Sequence, residues 1–271
     1  YTNSTSVTLT LSASDGGAGV ADMRFSNDGS TWGGWQSFGL SAAWTIATGD
    51  GPQPVYVQFR DQLLNVSSAA IIDSIVLDTG LPTGSVSING AAAYAMSANV
   101  TLALTYSDAL SGVTHMRFSN DGANWSSWFA VQTTTGWTLS AGDGLKTVWA
   151  EYRDGANNIS TGPITDTITL DTKKPTVTVE QSSAEDPTKN LPITFAVTFD
   201  EAVPDFDGSD LRLGGDATGV IFDVTGSGTS YTVNITGISG DGSLSVSVNA
   251  GAAHDTAGNG NAASTSSDNV V

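Results

Sequence analysis

The sequence predicts an all-β fold, an elongated array of three β-sandwich domains in tandem, and three observations predict it. Its 271 residues suffice for two or three small domains with cores of their own. Gly numbers 31, Thr, Ser, Val and Asn are abundant, and no long stretch repeats apolar residues at helical spacing, which favours strands joined by turns. The heptapeptide MRFSNDG at Met23–Gly29 returns unchanged at Met116–Gly122, an offset of 116 − 23 = 93 residues.

The same offset, without a gap, carries Trp32 to Trp125, Trp35 to Trp128, Trp44 to Trp137, Asp50 to Asp143, Arg60 to Arg153, Asp61 to Asp154, Asp78 to Asp171 and Pro82 to Pro175. A whole domain has been duplicated. The period exceeds the roughly 20 to 50 residues of a solenoid repeat and suits a seven-stranded sandwich of about 100. In the second copy strands are expected at Ser85 to Asn89, Val100 to Tyr106, Val113 to Ser119, Trp128 to Val131, Trp137 to Ser140, Lys146 to Arg153 and Pro163 to Leu170. The run VTLALTY alternates as a half-buried strand should.

The first copy opens at Tyr1, the counterpart of Tyr94 (94 − 1 = 93), so it is expected to lack its first strand and to leave a sheet edge open to pairing. The expected boundaries are 1–81 for this truncated repeat, 82–174 for the second and 175–271 for a divergent third domain. That last stretch has no Trp but alternates again in ITFAVTF, YTVNITG and SLSVSVN. The junctions read IVLDTGLP and ITLDTKKP, with a proline that stiffens the linker.

The RD-x-x-x-N loops, the LDT-x-x-P linkers and, in the third domain, FAVTFDEAVPDFDGSDLRL, GSGTSYTVNITG and AGAAHDTAGNGNAAS resemble bacterial Ig-like (Big-type) tandem repeats of surface and adhesin proteins. The resemblance implies immunoglobulin-like sandwiches in an extracellular or cell-surface setting, where such domains act as stalks and spacers. It implies no particular ligand.

Charge narrows the partners. Nine Lys and Arg against 27 Asp and Glu leave a net charge of −18, which repels nucleic acid and anionic lipid and favours divalent cations. The absence of cysteine excludes disulfides, thiolate metal sites and thiol catalysis. No apolar run approaches the roughly 20 residues that cross a bilayer, so direct membrane insertion is not expected. YTNSTSVTLT has neither a basic nor an apolar leader region, and the chain reads as a mature or excised segment.

The candidate site is a set of carboxylates and amides at the domain junctions. Asp, three residues, Asn recurs before each last strand, at Asp61/Asn65, Asp154/Asn158 and Asp255/Asn259. In a sandwich that loop shares a pole with the loop after the second strand, which holds Asp15 or Asp108, and the linker Asp of the preceding domain arrives there too. Asp78 is therefore expected to meet Asp108, Asp154 and Asn158, and Asp171 to meet Asp255 and Asn259 with Glu180 or Asp186. Hard oxygen ligands from separate loops suit calcium, a structural ion that would tie each linker to the next domain. The same residues also serve as plain turn formers or as caps for free linker N–H groups.

Other motifs carry less. DFDGSD at Asp205 to Asp210 lacks the acidic spacing, the Gly placement and the terminal Glu of a calcium loop and reads as a turn. SNDGSTW and SNDGANW resemble Asp-box hairpin turns. The seven Trp, at 32, 35, 44, 125, 128, 137 and 149, are core or hairpin residues, or else supply a sugar-stacking platform through Trp32/Trp35 and Trp125/Trp128. Two histidines, His115 and His254, assemble neither a metal cluster nor a triad.

The chain is accordingly expected to be a non-catalytic spacer of a larger surface or secreted adhesive protein, partnered by neighbouring domains of its own polypeptide. The alternatives are a module that binds surface glycan or protein through Trp, or an accessory region of a secreted polysaccharide-degrading enzyme.

Overall fold

A computed structural model describes residues 1–182 and 185–271. The fold is nearly all-β; the one helical element among the described residues is a 3-10 turn at Gly208–Asp210. The chain divides into two compact units, residues 1–87, 102–135 and 147–166 in one and residues 88–101, 136–146 and 167–271 in the other.

The first repeat supplies β1 (Ser6–Thr10), β2 (Val20–Ser26), β3 (Gln36–Ser37), β4 (Ser41–Thr45), β5 (Gly51–Asp61) and β6 (Ile71–Leu77). They form a sheet of order β3-β2-β5-β6 and a two-stranded sheet β1-β4. Strand β5, GPQPVYVQFRD, alternates as the pleat requires: Val55, Val57 and Phe59 turn inward onto Met23, Phe25, Ile46 and Leu77.

The second repeat supplies β7 (Thr83–Ile88), β8 (Tyr94–Ala95), β9 (Asn99–Ser107), β10 (Val113–Ser119), β11 (Phe129–Ala130), β12 (Thr134–Thr138), β13 (Gly144–Asp154) and β14 (Ile164–Leu170), with strand orders β12-β9-β7 and β11-β10-β13-β14-β8. The duplication holds at the level of register. Met23 faces Phe59 and Phe25 faces Val57; Met116 faces Tyr152 and Phe118 faces Ala150; and each pair of strands breaks register at the same point, Val20/Asp22 and Val113/His115.

Two local expectations change. The strand placed at Trp137 to Ser140 lies at Thr134–Thr138, because β-branched Thr134 and Thr135 take the edge position and Leu139, next to the strand, is buried on its own account. The two-residue β8, parallel to the end of β14, has too little sequence to show any periodicity.

Residues 177–248 supply β15 (Val177–Gln181), β16 (Ile193–Phe199), β17 (Leu211–Gly214), β18 (Ile221–Ser227), β19 (Ser230–Gly237) and β20 (Ser245–Val248), ordered β15-β16-β19-β18 and β17-β20. Their core joins Val179, Phe195, Val197, Val233, Ile235 and Val246. At one end Phe199, Phe206 and Tyr231 stack edge to face, and the buried Tyr231 hydroxyl donates to the Val203 carbonyl at 2.7 Å.

The SNDG turns are held by one carboxylate each. Asp28 Oδ1 accepts the Ser30 and Thr31 N–H groups and the Ser26 hydroxyl; Asp121 Oδ1 accepts those of Ala123, Asn124 and Ser119. Gly29 and Gly122 follow at φ 71° and 70°, the left-handed conformation a side chain disfavours. These donors, Thr31 foremost for Asp28 and Asn124 for Asp121, hold both carboxyls well below the usual carboxylate range. The folded values are depressed, so the stabilisation is complete above the ordinary value of 3.8 and is lost as pH falls through the lower folded values. Carboxyl 13C titration should therefore find both groups still ionised at about pH 3, where an ordinary Asp is mostly protonated; midpoints near 3.8 would contradict the turn geometry.

Candidate functional site

Three loops meet around the first linker. Asp78 directly follows β6, Asp108 directly follows β9, and Asp154 ends β13. Strand pairing aims all three at one pole, and their carboxylate oxygens lie within 4.8 Å of one another. Asp78 and Asp154 are each 1 % exposed. Asp78 Oδ1 and Oδ2 accept the N–H groups of Gly80 and Ser111, both at 3.0 Å, and Asp108 Oδ1 accepts those of Leu110 and Gly112.

The Asp-to-Asn loop is an interlock. Asp154 Oδ1 accepts the Asn158 N–H at 2.8 Å and Oδ2 accepts its amide Nδ2 at 2.7 Å, while the same Nδ2 donates to the backbone carbonyl of Asp78 at 2.8 Å. One amide group thus fastens the loop to the linker. The next residue, Thr79, is held by its own repeat: its N–H and hydroxyl both donate to Asp50 Oδ1 at 2.9 Å.

The second linker repeats the arrangement. Asn259 Nδ2 donates to the Asp171 carbonyl and to Asp255 Oδ2, both at 3.0 Å, and Thr172 is held by Asp143 as Thr79 is by Asp50. Asp171, Glu201 and Asp255 bring their carboxylate oxygens within 4.8 Å. Here a cation is already near, since Lys173 Nζ stands 2.7 Å from Asp200 and 3.4 Å from Glu201. Hydrogen bonding to Asp200, the largest cause, raises the Lys173 pKa.

Glu180 lies elsewhere: its carboxylate accepts the Ser267 and Asp268 N–H groups, which hold its pKa down. Asp186 belongs to neither acidic group. Glu201 takes the position that sequence reading gave to these two. The signal for it was present, because ITFAVTFDE at Ile193 to Glu201 aligns residue for residue with VTLALTYSD at Val100 to Asp108, again at the offset 201 − 108 = 93.

The first repeat has the same loop, exposed in this structure. Asp61 accepts the N–H groups of Leu63 and Asn65 and the Asn65 amide, and that amide, the largest cause, lowers the Asp61 pKa. Asp15 accepts Gly17 and Gly19 N–H groups at 2.9 Å. Asn65 is exposed where Asn158 is buried, and Asp15 and Asp61 belong to no group of three among the described residues.

The W-x-x-W tryptophans lie on an outer face, interleaved with arginine. Arg24 stacks on Trp32 and Trp35 at 4.9 and 4.6 Å and Arg60 on Trp35 at 4.6 Å; Arg117 and Arg153 treat Trp125 and Trp128 in the same way. These guanidinium groups occupy ring faces that a sugar platform would have to present. Trp44, by contrast, packs on Phe25 in the core with its N–H on Asn27.

Residues 171–271 match the family model of a bacterial Ig-like domain. The match falls on the stretch that follows the two repeats. No curated protein matches the chain. Similar solved structures include a 1.5-MDa bacterial ice-binding adhesin, at 16% identity over 97% of this chain and 90% of that one with a TM-score of 0.42. Others are the fibronectin(III)-like modules of Clostridium thermocellum CbhA (14%, 63% and 86%, 0.40) and invasin, a bacterial integrin-binding protein (15%, 89% and 52%, 0.38). No described helix is long and apolar enough to cross a membrane.

The internal comparison gives a direct test of the interlock. Asn158→Ala strands a buried carboxylate oxygen and a linker carbonyl and should cost about 2 kcal/mol, whereas Asn65→Ala at the exposed loop should cost about 0.5 kcal/mol. Hydrogen exchange of the loop amides in each variant measures the difference; equal losses would show that the linker contact carries no weight.

Proposed function

We propose that the chain is a non-catalytic spacer of a larger bacterial surface or secreted adhesive protein, with sandwiches at 1–81, 82–174 and 175–271 joined by calcium-stiffened linkers. The observation that carries the proposal is the recurrence, at both linkers, of an Asn–carbonyl clamp beside three converging carboxylates. A catalytic constellation has no reason to recur wherever one domain hands over to the next.

Charge supports an ion there. Two full charges 4.8 Å apart repel by about 3.5 kcal/mol at an effective dielectric constant near 20. Three converging carboxylates, two of them buried at the first linker and one at the second, are therefore suited to a cation. The donors are all oxygens from separate loops, which fits calcium and not zinc or a thiophilic metal. Asp78, Asp108 and Asp154 would hold it at the first linker, with Asn158 ordering Asp154; Asp171, Glu201 and Asp255 would do so at the second, with Asn259 in the ordering role. The bacterial Ig-like match at residues 171–271 supports the non-catalytic reading and the surface setting.

Calcium added to chelator-treated protein should raise the thermal midpoint, since saturation a hundredfold above Kd contributes about 2.7 kcal/mol per site. Asp78→Asn and Asp108→Asn should each remove the first site from a calorimetric titration and leave the second. A midpoint and scattering profile indifferent to chelator would leave the carboxylates as turn formers alone.

A further inference from the structure

Three of the four arginines stacked on tryptophan have an acceptor within their own repeat. Arg24 Nε and Nη2 donate to Gln58 Oε1, Arg60 Nε donates to Asp22 Oδ2 at 2.8 Å, and Arg117 Nε donates to Glu151 Oε2 at 2.7 Å. Arg153 is the exception. It rests on the Trp128 ring at 4.8 Å, and no carboxylate pairs with it among the described residues. The residue is half-buried: its Nε is enclosed without a hydrogen-bond partner, and the two Nη groups are not enclosed.

Strand register gives the reason. Asp22 on β2 stands directly across from Arg60 on β5, and at the offset of 93 the corresponding cross-strand pair is His115 on β10 and Arg153 on β13. Histidine takes the carboxylate away, and His115 Nδ1 is itself engaged by the Thr114 hydroxyl at 3.0 Å. The neighbouring pair changes the opposite way, with Glu151 where the first repeat has Gln58, but that carboxylate is committed to Arg117. The second repeat thus presents one guanidinium whose outer N–H groups are uncommitted. The first repeat shows the acceptor that such a guanidinium takes at this place, a carboxylate beside the ring stack.

We infer that Arg153 is the recognition point for a single carboxylate of an external ligand, a glycan chain that ends in an acidic sugar. A carboxylate accepts two parallel N–H bonds from the fork of a guanidinium, and stacking on Trp128 fixes the plane of that fork before the ligand arrives. Two features of the surroundings select the glycan. Strands β10 and β13 both lie inside the order β11-β10-β13-β14-β8, so neither offers an open backbone edge, and a peptide would forgo the main-chain pairing of strand addition. The net charge of −18 repels a polyanion along its length, whereas one carboxylate on an otherwise neutral chain meets Arg153 at contact range. Recognition is by charge and not by ring stacking, since guanidinium groups already cover the indoles. The surface lies apart from the linkers, and the inference stands whether or not they bind calcium.

The test uses the intact chain and two fluorescent oligosaccharides that differ only in the terminal sugar, glucuronate in one and glucose in the other. Saturable one-to-one binding of the glucuronate-ended probe is expected in anisotropy, with the glucose-ended probe at least tenfold weaker. Arg153→Gln should weaken the glucuronate-ended probe at least tenfold. So should His115→Asp, which supplies the internal carboxylate that Asp22 gives Arg60. Asp22→His frees Arg60 and should raise the stoichiometry to two, a gain that loss of folding cannot imitate. The inference is overturned by an absence of saturable binding, by equal binding of the two probes, by full affinity in the His115→Asp protein, by a stoichiometry of one after Asp22→His, or by tighter binding of a neutral-sequence peptide whose one carboxylate is its C-terminus.

Discussion

A single carboxamide carries much of this architecture. Asn158 Nδ2 is shared between the Asp154 carboxylate in its own loop and the Asp78 carbonyl in the linker, and Asn259 repeats the arrangement with Asp255 and Asp171. Asp78, Asp154, Asn158, Asp255 and Asn259 are buried, so a missing partner at the clamp is costly. The three carboxylates come together as a by-product of that closure. Their mutual repulsion is the opposing force.

The two repeats show how much variation this frame tolerates. Both outer faces carry the same alternation of indole and guanidinium, but the ion pairs within it differ. Arg60 pairs with Asp22 and Arg24 with Gln58 in the first repeat, whereas Arg117 pairs with Glu151 in the second. His115 replaces Asp22 at the matching position, and Arg153 Nε has no hydrogen-bond partner. One carboxylate per ladder is retained although its position moves. Stacking on the rings is thus the constant feature, and the salt bridges are interchangeable additions of modest worth.

Much of the fold was legible because strand alternation and a gapless period point the same way. Val113 to Ser119 was read to the residue, and the junction residues Asp78, Asp108 and Asp154 were named from loop position alone. Glu201 is marked only by its strand-end position at the offset from Asp108, whereas Glu180 and Asp186 stand closer to the linker in sequence. Asp255 departs from the offset, standing 255 − 154 = 101 residues after its counterpart, so only the Asp-to-Asn spacing marks it. The Arg–Trp interleaving depends on residues from three different strands and turns facing one side. No short motif records that juxtaposition.

The distribution of indoles has a practical side. All seven lie between residues 32 and 149, one against the first core and four beneath guanidinium groups, while residues 171–271 contain none. Intrinsic emission therefore watches the duplicated repeats and is blind to residues 171–271, whose melting has to be followed through Tyr231 or by calorimetry.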